Sequence, residues 1–299
     1  LIFDFPTTTT NINSEVGSLS GPEISGSTVT FSAITVTFTG GNAPVDKIIH
    51  SNMDVNTGGS LIITQFNVNS NYFSKCANGF YLIGNMLSTG TVTITQNLIR
   101  CNPTATSGDY SLLNLGGTSG TNTMTGSSSF TVDLNTFTSS GRSFRFHLIH
   151  MSYDLQGTSS VTISNNALEN IAPTTDNNQQ SHAIKLYTTG GSRGLNGGSL
   201  TIDSNNFKCH GSTASSATYC IYNDMRTLTG TLTISNNNFD VVSNTNGQHA
   251  VAIYTDADIG SSGAVVVSAN TGTSVAGVCC GITTALYWRH KWLGTTDAG

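Results

Sequence analysis

The chain has 299 residues, of which 37% are apolar and only 9% charged, with 32 Gly and 5 Pro. This apolar content supplies a sizeable core and argues against disorder, while 37 Ser, 45 Thr and 30 Asn stand where a helical bundle would carry Glu, Lys and Arg. A net charge of −5 leaves no basic stripe for nucleic acid, and no apolar run nears the roughly 18 residues of a membrane span.

In chain order, Leu1–Phe5 reads as a strand joining in mid-coil, so residues 1–26 form an incomplete first rung or a cap. With no initiator Met and no signal peptide at Leu1, the sequence reads as a processed form or a fragment. A ten-residue pattern then recurs, starting at Ser27, Gly59, Gly90, Ser128, Ser159, Gly198, Gly230 and Gly263. It runs small, Thr/Ser, apolar, Thr, apolar, polar, any, Asn, any, apolar. Its third and fifth positions, such as Leu200 and Ile202 or Leu232 and Ile234, alternate with polar neighbours. That period of two marks a strand with one buried face. The eighth position is Asn in six copies and Ile34 or Phe66 in the other two. Asn tolerates the left-handed backbone, so the expectation is that it sits in the bend itself. An apolar residue two positions later returns to the core in every copy except at Gly272.

A second apolar run follows 12 to 18 residues further on in most copies, for example Phe146–Met151, His182–Tyr187 and His249–Tyr254. Between the runs lie polar stretches of variable length that read as projecting loops. No unit of 31 to 39 residues buries its apolar face alone, whereas stacked units share one core, which defines a solenoid. The units hold too few strands for a propeller blade and lack the Leu framework of a leucine-rich repeat. One all-β domain over residues 1–299 is expected, with repeats over 27–290, a tail at 291–299 and about eight rungs at ~4.8 Å each.

These small-apolar-Thr-apolar-x-x-Asn-x-Phe units resemble the right-handed parallel β-helix of the pectate-lyase-like superfamily, over about residues 27–290. The Ser/Thr/Asn texture also resembles that of the trypanosomatid dispersed-gene-family surface proteins, which are believed to be adhesin-like. The first resemblance implies two functions, because such helices serve both as polysaccharide-cleaving enzymes and as the shafts of adhesins. Fold alone does not choose between them.

Glycoside hydrolysis needs two carboxylates across a groove. Asp133 and Asp203 share the outward sixth position two rungs apart, which implies roughly 9.6 Å between them. The Asp-Asp and Gly-His-Gly motifs of polygalacturonase-like members are absent, so solvated strand residues are the plainer reading. Asp256 and Asp258 form the nucleus of a lyase-type calcium site, with Asp224 as third carboxylate and Arg226 as base, but calcium wants six to eight oxygens. His182 and His249 lie too far apart to share a metal, and the spacing of His147 and His150 sets them on opposite strand faces. No cofactor and no metal are expected.

The fourth position, represented by Thr93, Thr131, Thr162, Thr201 and Thr233, makes a column of outward hydroxyls on a nearly uncharged face. It serves as a soluble strand surface, as a flat contact for glycan or surface protein, or as a lattice-matching array of the kind found in ice-binding proteins. Ile62, Asp133, Asp203 and Val266 interrupt that field. Six cysteines permit 15 full pairings. Of these, Cys209 with Cys220 would pin the base of a loop, Cys76 with Cys101 would join neighbouring rungs, and adjacent Cys279 and Cys280 bond elsewhere or stay free. Paired cysteines imply an oxidising location, extracellular or cell-surface. The end at Leu286–Trp292 departs from the repeat without an amphipathic cap, which implies a larger parent chain or rods stacked end to end. The expected function is a non-catalytic extracellular scaffold of adhesin type. A polysaccharide lyase or glycoside hydrolase is the alternative, followed by an ice-binding protein.

Overall fold

The protein, as a computed structural model, is an all-β parallel solenoid. The structure describes residues 2–5, 14–38, 45–69, 79–101, 109–117, 122–140, 145–171, 182–188, 194–211, 218–243, 249–275 and 283–288. The eight copies of the repeat become the eight neighbouring strands of sheet one, from Thr28–Ser32 to Ala264–Ser268. Two nine-stranded sheets complete each coil. Sheet two begins at Ile2–Phe5 and ends at Thr271–Val275, and sheet three runs from Ser14–Leu19 to Thr283–Trp288. A short fourth side is stitched from two-residue and three-residue strands and isolated bridges at Met86 and Ile259.

Register follows the repeat without slippage on sheet one. Ile163 pairs with Ile202 and Ile202 with Ile234, all within 1% of fully buried. Every strand is parallel to its neighbours, so like residues stack on like and the alternating pattern feeds one continuous apolar interior. Phe207 and Phe239 lie face to face in that interior, 4.8 Å between ring centroids.

The bend differs in one residue from its expected form. The left-handed residue is the seventh position in all eight copies, from Ala33 to Ala269, with φ between 52° and 57°. The asparagine that follows does not take the left-handed conformation; it turns its side chain inward and bonds along the stack. Residue seven has to reverse the chain at the surface, where Gln96, Leu134 or Asn165 serves equally, whereas residue eight must satisfy buried backbone groups at the corner.

Sheet three bends through two consecutive inward residues, such as Leu148 with Ile149 and Cys220 with Ile221, all four fully buried. That doubled inward step places the residues on either side of the pair on one outer face. His147 and His150 therefore share a side, with ring centroids 6.1 Å apart, and do not point to opposite faces as simple alternation requires.

Candidate functional site

The corner asparagines form an unbroken ladder. Each of Asn97, Asn135, Asn166, Asn205 and Asn237 donates its backbone N–H and one Nδ2 hydrogen to the Oδ1 of the next, at 2.8–3.0 Å. The other Nδ2 hydrogen goes to the fifth-position carbonyl of the preceding coil, for example from Asn166 to Val132 at 2.9 Å. Buried amides satisfied on every side fix both register and corner.

The outward threonines extend this order to the surface. Thr93, Thr131, Thr162, Thr201 and Thr233 are direct partners on five consecutive strands, with Ile62 before them and Val266 after. All five are partly exposed, so sheet one presents a straight row of methyls and hydroxyls at about 4.8 Å intervals.

The two carboxylates paired by position are each held by hydrogen bonds from the coil that follows. Asp133 accepts from Ser164 Oγ at 2.8 Å and Asn165 Nδ2 at 2.9 Å in the following coil. Asp203 repeats that arrangement with Ser235 Oγ at 2.6 Å and Asn236 Nδ2 at 2.8 Å, and accepts from Ser204 Oγ as well. Two separate braces result, each made of an Asp, a Ser in register and the left-handed Asn after it. The hydrogen bond from Ser235, then those from Asn236 and Ser204, hold the Asp203 carboxyl below its ordinary pKa. A general acid in glycoside hydrolysis needs the opposite shift.

Arg226 is committed to Asp258, Nη2 to Oδ2 at 3.0 Å, and both are about three-quarters buried. Asp224 and Asp256 flank the Tyr222 phenol, whose pKa is raised by burial first and then by these two negative charges. Among the described residues, no group of three or more His, Cys, Asp or Glu is placed to hold a metal. Elsewhere the scarce charges also tie coil to coil. Lys208 meets Glu169 at 3.0 Å, His210 meets Asp240 at 3.0 Å, and buried Asp154 accepts from the Gly194 N–H and from Asn196.

Cys209 and Cys220 form a disulfide with Cα atoms 5.6 Å apart, joining sheet two to sheet three within one coil. Cys101 is also disulfide-bonded. Cys76, Cys279 and Cys280 lie outside the described residues.

One feature escaped the sequence reading. His147, His182, Tyr222, Tyr254 and Tyr287 stack in a file down sheet three, with centroids 4.9–5.3 Å apart and planes within 9° of parallel. Tyr219 leans against Tyr254 at 4.6 Å, and with His249, Val251 and Tyr287 these two tyrosines line a hollow of 200 Å³. The file steps from one register column to another, because His182 pairs with Tyr219 while Tyr222 pairs with Lys185, so no single column of the repeat contains it. Because the rings stack on one another, their faces are covered, and His147, His182 and Tyr254 are buried.

The likeness to the pectate-lyase-like superfamily rests on the solenoid alone. No protein-family model matches the chain, and no curated protein and no solved structure matches it.

Proposed function

We propose that this chain is a non-catalytic extracellular or cell-surface scaffold, an adhesin-type module that contacts glycan or a surface protein through the threonine face of sheet one. The observation that carries the reading is the in-register column from Thr93 to Thr233 on five consecutive strands. Such a row offers a hydroxyl and a methyl at each step, a pattern that fits the alternating polar and apolar edges of an extended glycan. The disulfide between Cys209 and Cys220 supports an oxidising location. The bracing of Asp133 and Asp203 supports a structural part for both carboxylates.

The test is a glycan array run beside assays for reducing sugar and unsaturated product. Saturable binding without product formation is expected, and Thr162→Tyr with Thr201→Tyr should weaken it at least tenfold while leaving the β-sheet circular dichroism intact. Sugar release that disappears in Asp203→Asn would replace this reading with a hydrolase. The same threonine column favours the ice-binding reading, which inhibition of ice recrystallisation without glycan binding would select.

A further inference from the structure

Three of the seven histidines meet in the middle of sheet three. His147 and His182 are register partners on the neighbouring strands Arg145–Met151 and His182–Tyr187, and their rings lie face to face with centroids 5.1 Å apart. His150 stands 6.1 Å from His147, and the three are only 2% (His147), 2% (His182) and 7% (His150) exposed. His147 is the middle member, in ring contact with both of the others.

An imidazole in water changes charge near a pH of about 6.5, so mild acid reaches it before it reaches any carboxylate. In this place a proton costs more than in water. Each ring has given up its hydration, and two protonated neighbours would face each other as like charges across the distances just given. The trio therefore titrates as a unit and in steps, and the last step falls on His147, which by then has a charged ring on either side.

The surrounding groups bias this order. Lys185, the register partner of His150, adds a fixed positive charge, with its Nζ 5.4 Å from the Tyr187 ring. Tyr187 leans on His150, Tyr219 leans on His182, and the Tyr222 ring stacked on His182 at 4.9 Å favours an early charge there. Asp224 is the register partner of Tyr187, and Asp109 that of Arg145, two positions before His147. On the sheet-two side, Glu169 of Ala167–Ile171 is engaged by Lys208.

The same strand supplies a mechanical link. Buried Asn170 donates its Nδ2 hydrogens to the carbonyls of Phe146 at 3.2 Å and His182 at 3.1 Å, which fastens sheet three to sheet two beside the stacked imidazoles. Parting the two histidine strands relieves the repulsion and gives up these bonds. The corner ladder from Asn97 to Asn237 contains no titratable side chain, so acid leaves the junction of sheets one and two in place.

We propose that His147, His150 and His182 form a proton-operated latch. Neutral, they close sheet three over the middle coils; as pH falls below the ordinary imidazole range, their accumulating charge parts Arg145–Met151 from His182–Tyr187 while sheet one stays paired. The stability that the neutral packing contributes is complete above the unfolded imidazole value and is lost as pH falls below it. The latch is independent of the glycan reading, which concerns sheet one.

The test is hydrogen exchange of the full 299-residue chain at pH 7 and pH 5, corrected for the chemical exchange rate, beside imidazole carbon NMR of the histidine-labelled protein over the same range. Residues 145–151 and 182–187 should lose protection by about tenfold or more at pH 5, with residues 160–164 and 199–203 of sheet one unchanged. The three imidazoles should titrate in separate steps, His147 last. His147→Phe keeps a ring in the stack and should abolish the acid response. Equal loss of protection on sheets one and three, no loss on either, or three superimposable single-step titrations overturns the proposal. So does an undiminished acid response in folded His147→Phe. Should that variant fail to fold, the comparison of the two sheets and the titration of the wild-type protein still decide.

Discussion

Asn166 is 1% exposed and uses every polar atom it owns. It donates twice to Asn205 and once to Val132, and it accepts twice from Asn135. Asn166→Ala strands two buried donors on Asn135, removes the side-chain bond to the Val132 carbonyl and leaves Asn205 Oδ1 only the backbone N–H, at a cost of about 3 kcal/mol or more, read as a lower urea midpoint. Asp203 gives a prediction in pH. Its folded pKa is depressed by Ser235, Asn236 and Ser204, so the stability it contributes is present above the unfolded pKa and is lost as pH falls through the folded one. Asp203→Asn should therefore lower the melting temperature at pH 6, with the gap to wild type closing as pH falls below the ordinary carboxylate range. A gap that stays constant from pH 6 to pH 2 would sink the brace.

Strands and corners were legible to different depths. The apolar alternation of Leu200 with Ile202 and Leu232 with Ile234 assigned sheet one, its inner face and its register, because side-chain direction in a strand follows directly from parity. Parity failed on sheet three. The pairs Leu148–Ile149 and Cys220–Ile221 point inward together, and only neighbouring coils determine where such a doubled step falls. The corner was half legible: Asn marked its place, but the left-handed residue stands one position earlier, at Asn165 or Ser204. At the level of connections, the Cys209–Cys220 disulfide closes a loop over a sequence separation of 11. The chain-entropy account gives it about 3 kcal/mol. Mild reductant should lower the urea midpoint accordingly, and should leave a Cys209→Ala, Cys220→Ala variant unmoved at that site.

The whole molecule is a stack in which each coil touches chiefly its two neighbours, so stability is approximately a sum of coil and interface contributions. Middle coils have two such interfaces and end coils one. Hydrogen exchange followed by mass spectrometry should therefore find Ile163 and Ile202 among the slowest amides and Val29 and Val267 faster by orders of magnitude. Equal protection along the rod would contradict the additive picture.

The sequence by itself determined the solenoid, the inward residues of sheet one and the asparagine corner. A repeat that stacks on itself writes each contact many times, once per copy. Only the tertiary structure decided that Asp133 and Asp203 each accept hydrogen bonds from a Ser and an Asn of the following coil, and that five rings from His147 to Tyr287 form one file. These features depend on which atoms of the next coil lie within reach of a given side chain. That reach is a distance across the stack, and no single copy of the repeat contains it.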